Sequence, residues 1–263
     1  MSARPPSWNP HNAAAFQLED VVAQYHLRHP YPSTLAPFLL DLATPKGGRV
    51  LELGCGTGEI ARALAPHVER IDAIDVSLRM IERARTMPGG DHPAIQWTVG
   101  RAEDVPLDGP YALAVAGASL HWMDWDVVLP RIADQLAPDA VLAIVVSREV
   151  PAPWADALRE IISRYSVIQD WQNADLMALL ESRGVFKHIA KEHLAPEPHS
   201  RTIDEYVDGQ HATSALARDR MGADRARAFD DEVRALVTPY ARDGVLELAA
   251  GAEVDWGTPL RVT

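Results

Sequence analysis

The stretch VLELGCGTGEIARAL, residues 50–64, sets Glu52, Gly54, Gly56, Gly58 and Glu59 around one turn. Glycines at alternate positions let the backbone approach a ligand closely and take conformations that side chains forbid. The free N–H groups of a helix starting near Gly58 would face an anionic or carbonyl group. Further on, IDAIDVS (71–77) reads as a strand ending in Asp75, an acceptor suited to the two hydroxyls of a ribose. Spacing separates the cofactor classes that use such a turn. The dinucleotide pattern places its third glycine at position 59, where Glu59 stands, and a carboxylate there would repel a pyrophosphate.

A second constellation is GASLHWMDWD, 117–126. His121 is its one titratable group with an ordinary pKa near neutrality, so it can serve as a general base or as a donor that orients a carboxylate. The other reading is a histidine that caps the next helix or packs under Trp122. Trp122 and Trp125 offer a wall for an organic substrate or a cation–π face, with structural packing expected of at least one. Arg148 could grip a substrate carboxylate in a bidentate pair or simply pair with Glu149 or Glu52. Tyr206, with Trp154, Tyr165 and His211, is placed on the lid side of a pocket by position alone. Cys55, between glycines, reads as a small buried side chain. Histidines and acids lack metal-ligand spacing, so no metal is expected.

These groups need a scaffold that alternates strand and helix. Apolar runs at 49–53, 70–75, 94–99, 111–117 and 140–147 read as strands, with helical spacing at 59–65, 77–86 and 126–137. That alternation predicts an α/β fold, a doubly wound and mostly parallel sheet covered by helices on both faces. Helices are expected over 12–28 and after the proline-punctuated turn near residue 30, then over 154–183 and from about 202 to 240. Strand-like runs at 185–194 and 244–257 complete seven strands. The expected organisation is an amino-terminal helical cap (1–46) and a main domain (47–263), with a helical lid at 197–242 inserted before the last strand.

Composition bounds the partners. The 263 residues are 47% hydrophobic, and the net charge of −12 is divided evenly between residues 1–150 and 151–263. Neither part carries the basic footprint of a nucleic-acid binder. The longest apolar run, VLAIVV, is far too short to span a bilayer. One cysteine and an amino terminus lacking a secretory apolar core predict a cytoplasmic protein. The expected partner is a small molecule, with neither nucleic acid nor membrane; oligomeric state is not encoded legibly.

The run Glu52-Leu-Gly54-Cys-Gly56-Thr-Gly58 resembles the first motif of class I S-adenosylmethionine-dependent methyltransferases, and residues 99–145 resemble their segment from the adenine loop to strand five. The resemblance implies S-adenosylmethionine as cofactor. This phosphate-free cation is favoured by the acids that disfavour a dinucleotide. It implies Ala102 and Glu103 beside the adenine, Asp75 and Val76 beside the ribose, and Ala118 beside the methionine part. YHLRHPYP (25–32) resembles the segment that closes over the cofactor in the small-molecule subgroup, which assigns Tyr25 and Arg28 to capping. Three positions depart from the pattern: Arg101 in place of a common acid, Asp139-Ala140 in place of Gly-Gly, and Ala112 in place of Asp. The His-Trp after strand four is similar to that of trans-aconitate-type and biotin-pathway carboxyl methyltransferases. It implies O-methylation of a carboxylate, hydroxyl or phenol. The alternatives are an NAD-dependent reductase and a non-methylating S-adenosylmethionine-binding protein or cyclase on the same fold.

Overall fold

The structure is a computed structural model that describes residues 4–170, 172 and 174–261. In chain order the elements are α1 (Pro10–Ala13), α2 (Glu19–Gln24), α3 (Leu35–Leu42), β1 (Val50–Leu53), α4 (Glu59–Leu64), β2 (Ile71–Asp75), α5 (Leu78–Thr86), β3 (Ile95–Val99) and β4 (Leu113–Gly117). There follow α6 (Trp125–Gln135), β5 (Leu142–Glu149), α7 (Ala155–Tyr165), α8 (Leu176–Ser182), β6 (Phe186–Thr202), α9 (Ile203–Gln210), α10 (Arg218–Met221), α11 (Ala223–Val237) and β7 (Val245–Pro259). The seven strands form one sheet in the order β3-β2-β1-β4-β5-β7-β6. β1 to β5 are parallel, and β7 lies antiparallel between β5 and β6.

The period of two along the strands divides the core. Val50 enters one apolar cluster with Leu35, Leu39 and Ile60, while Leu51 and Leu53 enter another with Trp125, Leu129 and Leu180. Buried on both faces, the central strands read as continuous apolar runs. Chain direction out of β1 reverses between β2 on one side and β4 on the other, so the strand ends at Leu53, Asp75 and Gly117 open onto one crevice. Helices entering from this sheet are capped by side chains: Ser77 accepts the Met80 N–H, Asp124 that of Asp126 and Asp175 that of Ala178.

Four sequence expectations change. The helix foreseen over 12–28 is broken at Leu18, whose extended backbone (φ −73°, ψ 143°) separates a 3-10 turn at Ala14–Gln17 from α2. α3 packs into the sheet's helical layer through Leu35 and Leu39, so the covering segment ends before it and not at residue 46. The helix foreseen over 154–183 is two helices, α7 and α8; positions 171 and 173 between them lie outside the described residues. β6 runs to Thr202, so the insertion expected from 197 becomes helical only at Ile203, where a capping box between Thr202 and Glu205 starts α9.

The insertion has its own core. Trp154 and Leu158 from α7 pack with Tyr206, Phe229 and Val233, closed from below by Leu246 and Leu248 of β7. Beneath it, fully buried His211 sits between the Leu216 carbonyl (2.6 Å) and the Asp230 carboxylate (2.6 Å). That accounts for His211 as a structural group. Among the described residues no helix is long and apolar enough to cross a membrane.

Candidate active site

β1 ends in the glycine turn, and each glycine is held there by a different neighbour. Gly56 has a left-handed backbone (φ 54°), and a Cβ on it would stand 2.9 Å from the Tyr25 ring. Gly54 lies closer still to Ser119, where a Cβ would stand 2.5 Å away, and the Ser119 hydroxyl donates to the Leu53 carbonyl. Gly58, expected at the cofactor, instead packs under Trp97: its φ is 73°, and a Cβ would meet the ring at 2.2 Å. Gly58 does not line the cavity and serves to turn the chain into α4.

The turn borders a cavity of about 240 Å³ at the crevice. Gly54, Gly56, Asp75, Val76, Ala102, Glu103 and Ala118 line it together with Tyr25 and Trp122. Asp75 ties two strand ends together, Oδ2 accepting the Gly56 N–H and Oδ1 the Ser77 N–H, both at 2.8 Å. Burial pushes its carboxyl up, and these two N–H groups pull it part of the way back. Each oxygen keeps acceptor capacity for a ligand hydroxyl. Glu103 accepts the Asp124 N–H at 2.8 Å, which fixes the 101–104 loop against the start of α6. Ala118 takes a left-handed backbone (φ 49°) that a side chain disfavours by about 1–2 kcal/mol. The strain lies where the β4 end turns into the site.

Glu52 and Arg28 lie in a smaller recess adjoining the turn, shared with Tyr25, Tyr31 and Glu59. Glu52 is 3% exposed, its Oε2 has no partner, and burial raises its carboxyl to about 8, with the Ala61 N–H offsetting part of that. Arg28 stacks over the Tyr25 ring (5.3 Å) and donates to the Ala212 carbonyl of the insertion (3.1 Å).

A second cavity, about 640 Å³, lies between the strand ends and the insertion. It shares Phe16, Tyr25, Ala118 and Trp122 with the first. His121 faces this larger space, its ring 4.5 Å from Trp122 and 5.2 Å from Trp8. Burial first, then Arg4 and Arg28, lowers its pKa to about 4, so the imidazole is neutral at physiological pH. Arg4 donates to the carbonyls of His121 and Met123 and holds the loop from the amino-terminal side. Trp125 is buried, with its N–H on the Leu120 carbonyl, and belongs to the core. Tyr206 reaches the larger cavity, its hydroxyl accepting the Trp154 N–H at 2.9 Å. Arg148, expected to meet substrate, does not: its side chain is 59% exposed and pairs with Glu253 at 2.9 Å, because β5 turns it away from the cavities toward β7.

Sequence reasoning missed Phe16, His199 and Arg201, which also line these spaces. Phe16 sits in the broken helix, where no periodic pattern marks a facing side. His199 and Arg201 lie on the part of β6 that Pro196 and Pro198 disguise as a loop. Among the described residues no group of three or more His, Cys, Asp or Glu is placed to hold a metal ion.

The strand order, the acid at the tip of β2 and the glycine turn after β1 define the Rossmann-like methyltransferase fold. A structure from Anaeromyxobacter dehalogenans, provisionally described as a type II methyltransferase, superposes with a TM-score of 0.65 at 24% identity, over 89% of this chain and 99% of that one. A family model described as a methyltransferase domain matches residues 50–139. An O-methyltransferase of Aspergillus nomiae is 31% identical over 157 residues, 56% of this chain and 68% of its own. A S-adenosyl-L-methionine-dependent Diels-Alderase of Talaromyces variabilis is 36% identical over 153 residues, 50% of this chain and 51% of its own. The chain belongs to the class I S-adenosylmethionine-dependent methyltransferases. It spans about half the length of most curated relatives it matches.

The residues present fit that cofactor. The unpartnered Oε2 of Glu52 is a buried acceptor waiting for a cation such as the ammonium, and Asp75 has acceptor capacity left for a diol. Nothing in the cavity lining offers the cationic cradle that a pyrophosphate requires beyond Arg101.

Proposed function

We propose that this protein transfers the methyl group of S-adenosylmethionine to an oxygen of a small organic acceptor seated in the larger cavity. The observation that supports the reading is the shared wall: Phe16, Tyr25, Ala118 and Trp122 border both cavities, so two ligands would meet there. Asp75 and Val76 would hold the ribose, Glu52 the ammonium and Arg28 the carboxylate, with Ala102 and Glu103 around the adenine. When bound, the cofactor supplies an electrophilic methyl carbon. An acceptor oxygen forms the C–O bond as the C–S bond breaks, the electron pair stays on sulfur, and an acidic acceptor releases its proton.

The chain's own work is alignment, exclusion of water and proton handling. Trp122 and Tyr25 screen the junction. His121, neutral and lining the larger cavity, would either take the proton of a hydroxyl or phenol or donate a hydrogen bond to a carboxylate. A transfer assay with radiolabelled methyl donor against organic acids, phenols and amines tests the reading. Labelled O-methyl product is expected, and donor binding without transfer to any class would refute it. That negative outcome is the one expected of a second reading, cofactor binding in the service of a cyclisation, which the 36% identical Diels-Alderase favours. Saturable binding of NAD in place of S-adenosylmethionine would point to a reductase.

A further inference from the structure

The larger cavity has an unusual electrostatic lining. Acidic residues outnumber basic ones 37 to 25 in the chain, yet among the described residues no Asp or Glu lines this space. Its charged and titratable lining is Arg28, Arg159 and Arg201 with His29, His121 and His199. Not all of these are free. Arg159 is 74% exposed and pairs with Asp156 at 2.7 Å, and Arg28 also lines the recess beside Glu52. Arg201 differs: among the described residues it has no carboxylate within ion-pair distance, its one hydrogen bond is a long one to the neighbouring Ser200 carbonyl (3.3 Å), and its Nε is buried without a partner. The Nδ1 of His199, two residues away on the same face of β6, is likewise buried, with the Glu197 backbone beside it.

Three other polar side chains of the wall are already used. Gln169 donates to the Ser166 carbonyl, Gln210 to that of Tyr206 and Thr213 to that of Gln210. The acids that feel the Arg201 charge turn elsewhere, Glu205 capping α9 and Glu59 accepting the Tyr31 N–H at 3.1 Å. A cation kept unpaired in a partly buried wall costs free energy that an oxyanion would offset. Around it the surface is apolar, from Ile162, Ile168, Leu216 and Leu248.

Position separates this anchor from the methyl-transfer junction. Ala118 donates its N–H to the Val145 carbonyl, Val145 pairs with Val254, and Arg201 pairs with Leu246 on the same β7 strand. Arg201 thus lies eight β7 residues beyond the level of Val254, close enough to the recess for its charge to act on Glu59 and His29. Arg201 and His199 line only the larger cavity, never the one holding Asp75. Resting on the methyltransferase reading above, we infer that the acceptor carries a carboxylate or phosphate group, distinct from the atom that is methylated, and that Arg201 with His199 holds it.

The test is calorimetric titration of the full chain saturated with S-adenosylhomocysteine, so that the Arg28 recess is taken and no turnover occurs. The probes are 4-hydroxycinnamate, its methyl ester and 4-hydroxyphenyl phosphate. At least one anion is expected to bind about 10- to 100-fold tighter than the ester; which of the two does so tells carboxylate from phosphate. Arg201→Met should abolish that preference without changing ester affinity, and Arg201→Lys should restore part of it. Unchanged S-adenosylhomocysteine affinity in both variants confirms that they fold. Anions that bind no tighter than the ester, or a preference that survives Arg201→Met, would overturn the inference. Should S-adenosylhomocysteine fail to bind while the Arg201-dependent preference persists, the methyltransferase reading fails and the anion site stands.

Discussion

Glu52 is where stability and cofactor binding meet, and replacing it by Gln isolates its contribution. Burial raises its folded pKa from 4.5 to about 8. The folded state therefore binds the proton more tightly than the unfolded chain. The stability this confers is complete below about pH 4.5 and is lost as pH rises through 8. At about 1.4 kcal/mol per pH unit the whole effect is about 5 kcal/mol, of which about 1.6 kcal/mol disappears between pH 6.5 and 8. Other groups titrate in that window: Glu149, raised to about 7, adds a slope of the same sign, while His29 and His121, lowered to about 4, add a smaller opposing one as the unfolded chain sheds its imidazole protons above about pH 6.5, so the quantity to measure is the difference between wild type and E52Q. Urea unfolding of the cofactor-free protein at pH 6.5 and 8 should show wild type losing about 1.6 kcal/mol more than E52Q. A bound ammonium would hold Glu52 ionised, so S-adenosylmethionine should bind with proton release at pH 7 in wild type and without that proton in E52Q. Parallel pH slopes for the two proteins, together with identical proton release, would refute the assignment of Glu52 as the buried, cation-seeking acid.

Other substitutions read single contacts. Asp75→Asn should weaken S-adenosylhomocysteine binding about 10- to 100-fold in calorimetry, through loss of charge-assisted hydrogen bonds; undiminished affinity would exclude Asp75 from the ribose. Gly58→Ala should lower unfolding free energy by about 2–4 kcal/mol, combining a left-handed alanine with displacement of Trp97, and a denaturant midpoint equal to wild type would contradict the packing described. His121→Ala should reduce turnover about 100-fold or more if the acceptor needs a base, leaving cofactor affinity unaltered. Retention of full turnover across neutral pH would remove His121 from proton transfer.

Much of the site was readable because local rules and global fold agree. The five parallel strands announce themselves as apolar runs since both their faces are buried, and the glycine turn and Asp75 follow from where those runs stop. Gly58 was misplaced because spacing shows that the chain turns there but not that Trp97 lies across the turn. Arg148 was misplaced for a related reason: the parity of a strand residue depends on β7, which pairs with β5 from more than a hundred positions away. The anion-facing pair stayed hidden for another cause. Pro196 and Pro198 would stop a central strand, but β6 is at the sheet's edge, where a missing donor and the register shift between Leu194 and Glu197 are tolerated. Strand continues through APEPHSRT and delivers His199 and Arg201 to the cavity.

The helical insertion leaves β6 at Thr202 and returns to β7 at Val245, and these two residues are direct partners in the hairpin. Topologically, α9 to α11 are an enlarged hairpin loop whose ends are pinned side by side by the sheet itself. Loop-closure entropy grows only slowly with length, so the segment 203–244 can be exchanged for one of different size without disturbing the register of the hairpin, at the loss of contacts to the capping segment such as that from Arg28 to the Ala212 carbonyl. On the function proposed above, such an exchange would alter the insertion's share of the acceptor wall, while the anchor at Arg201, just before the exchanged segment, would remain with the sheet.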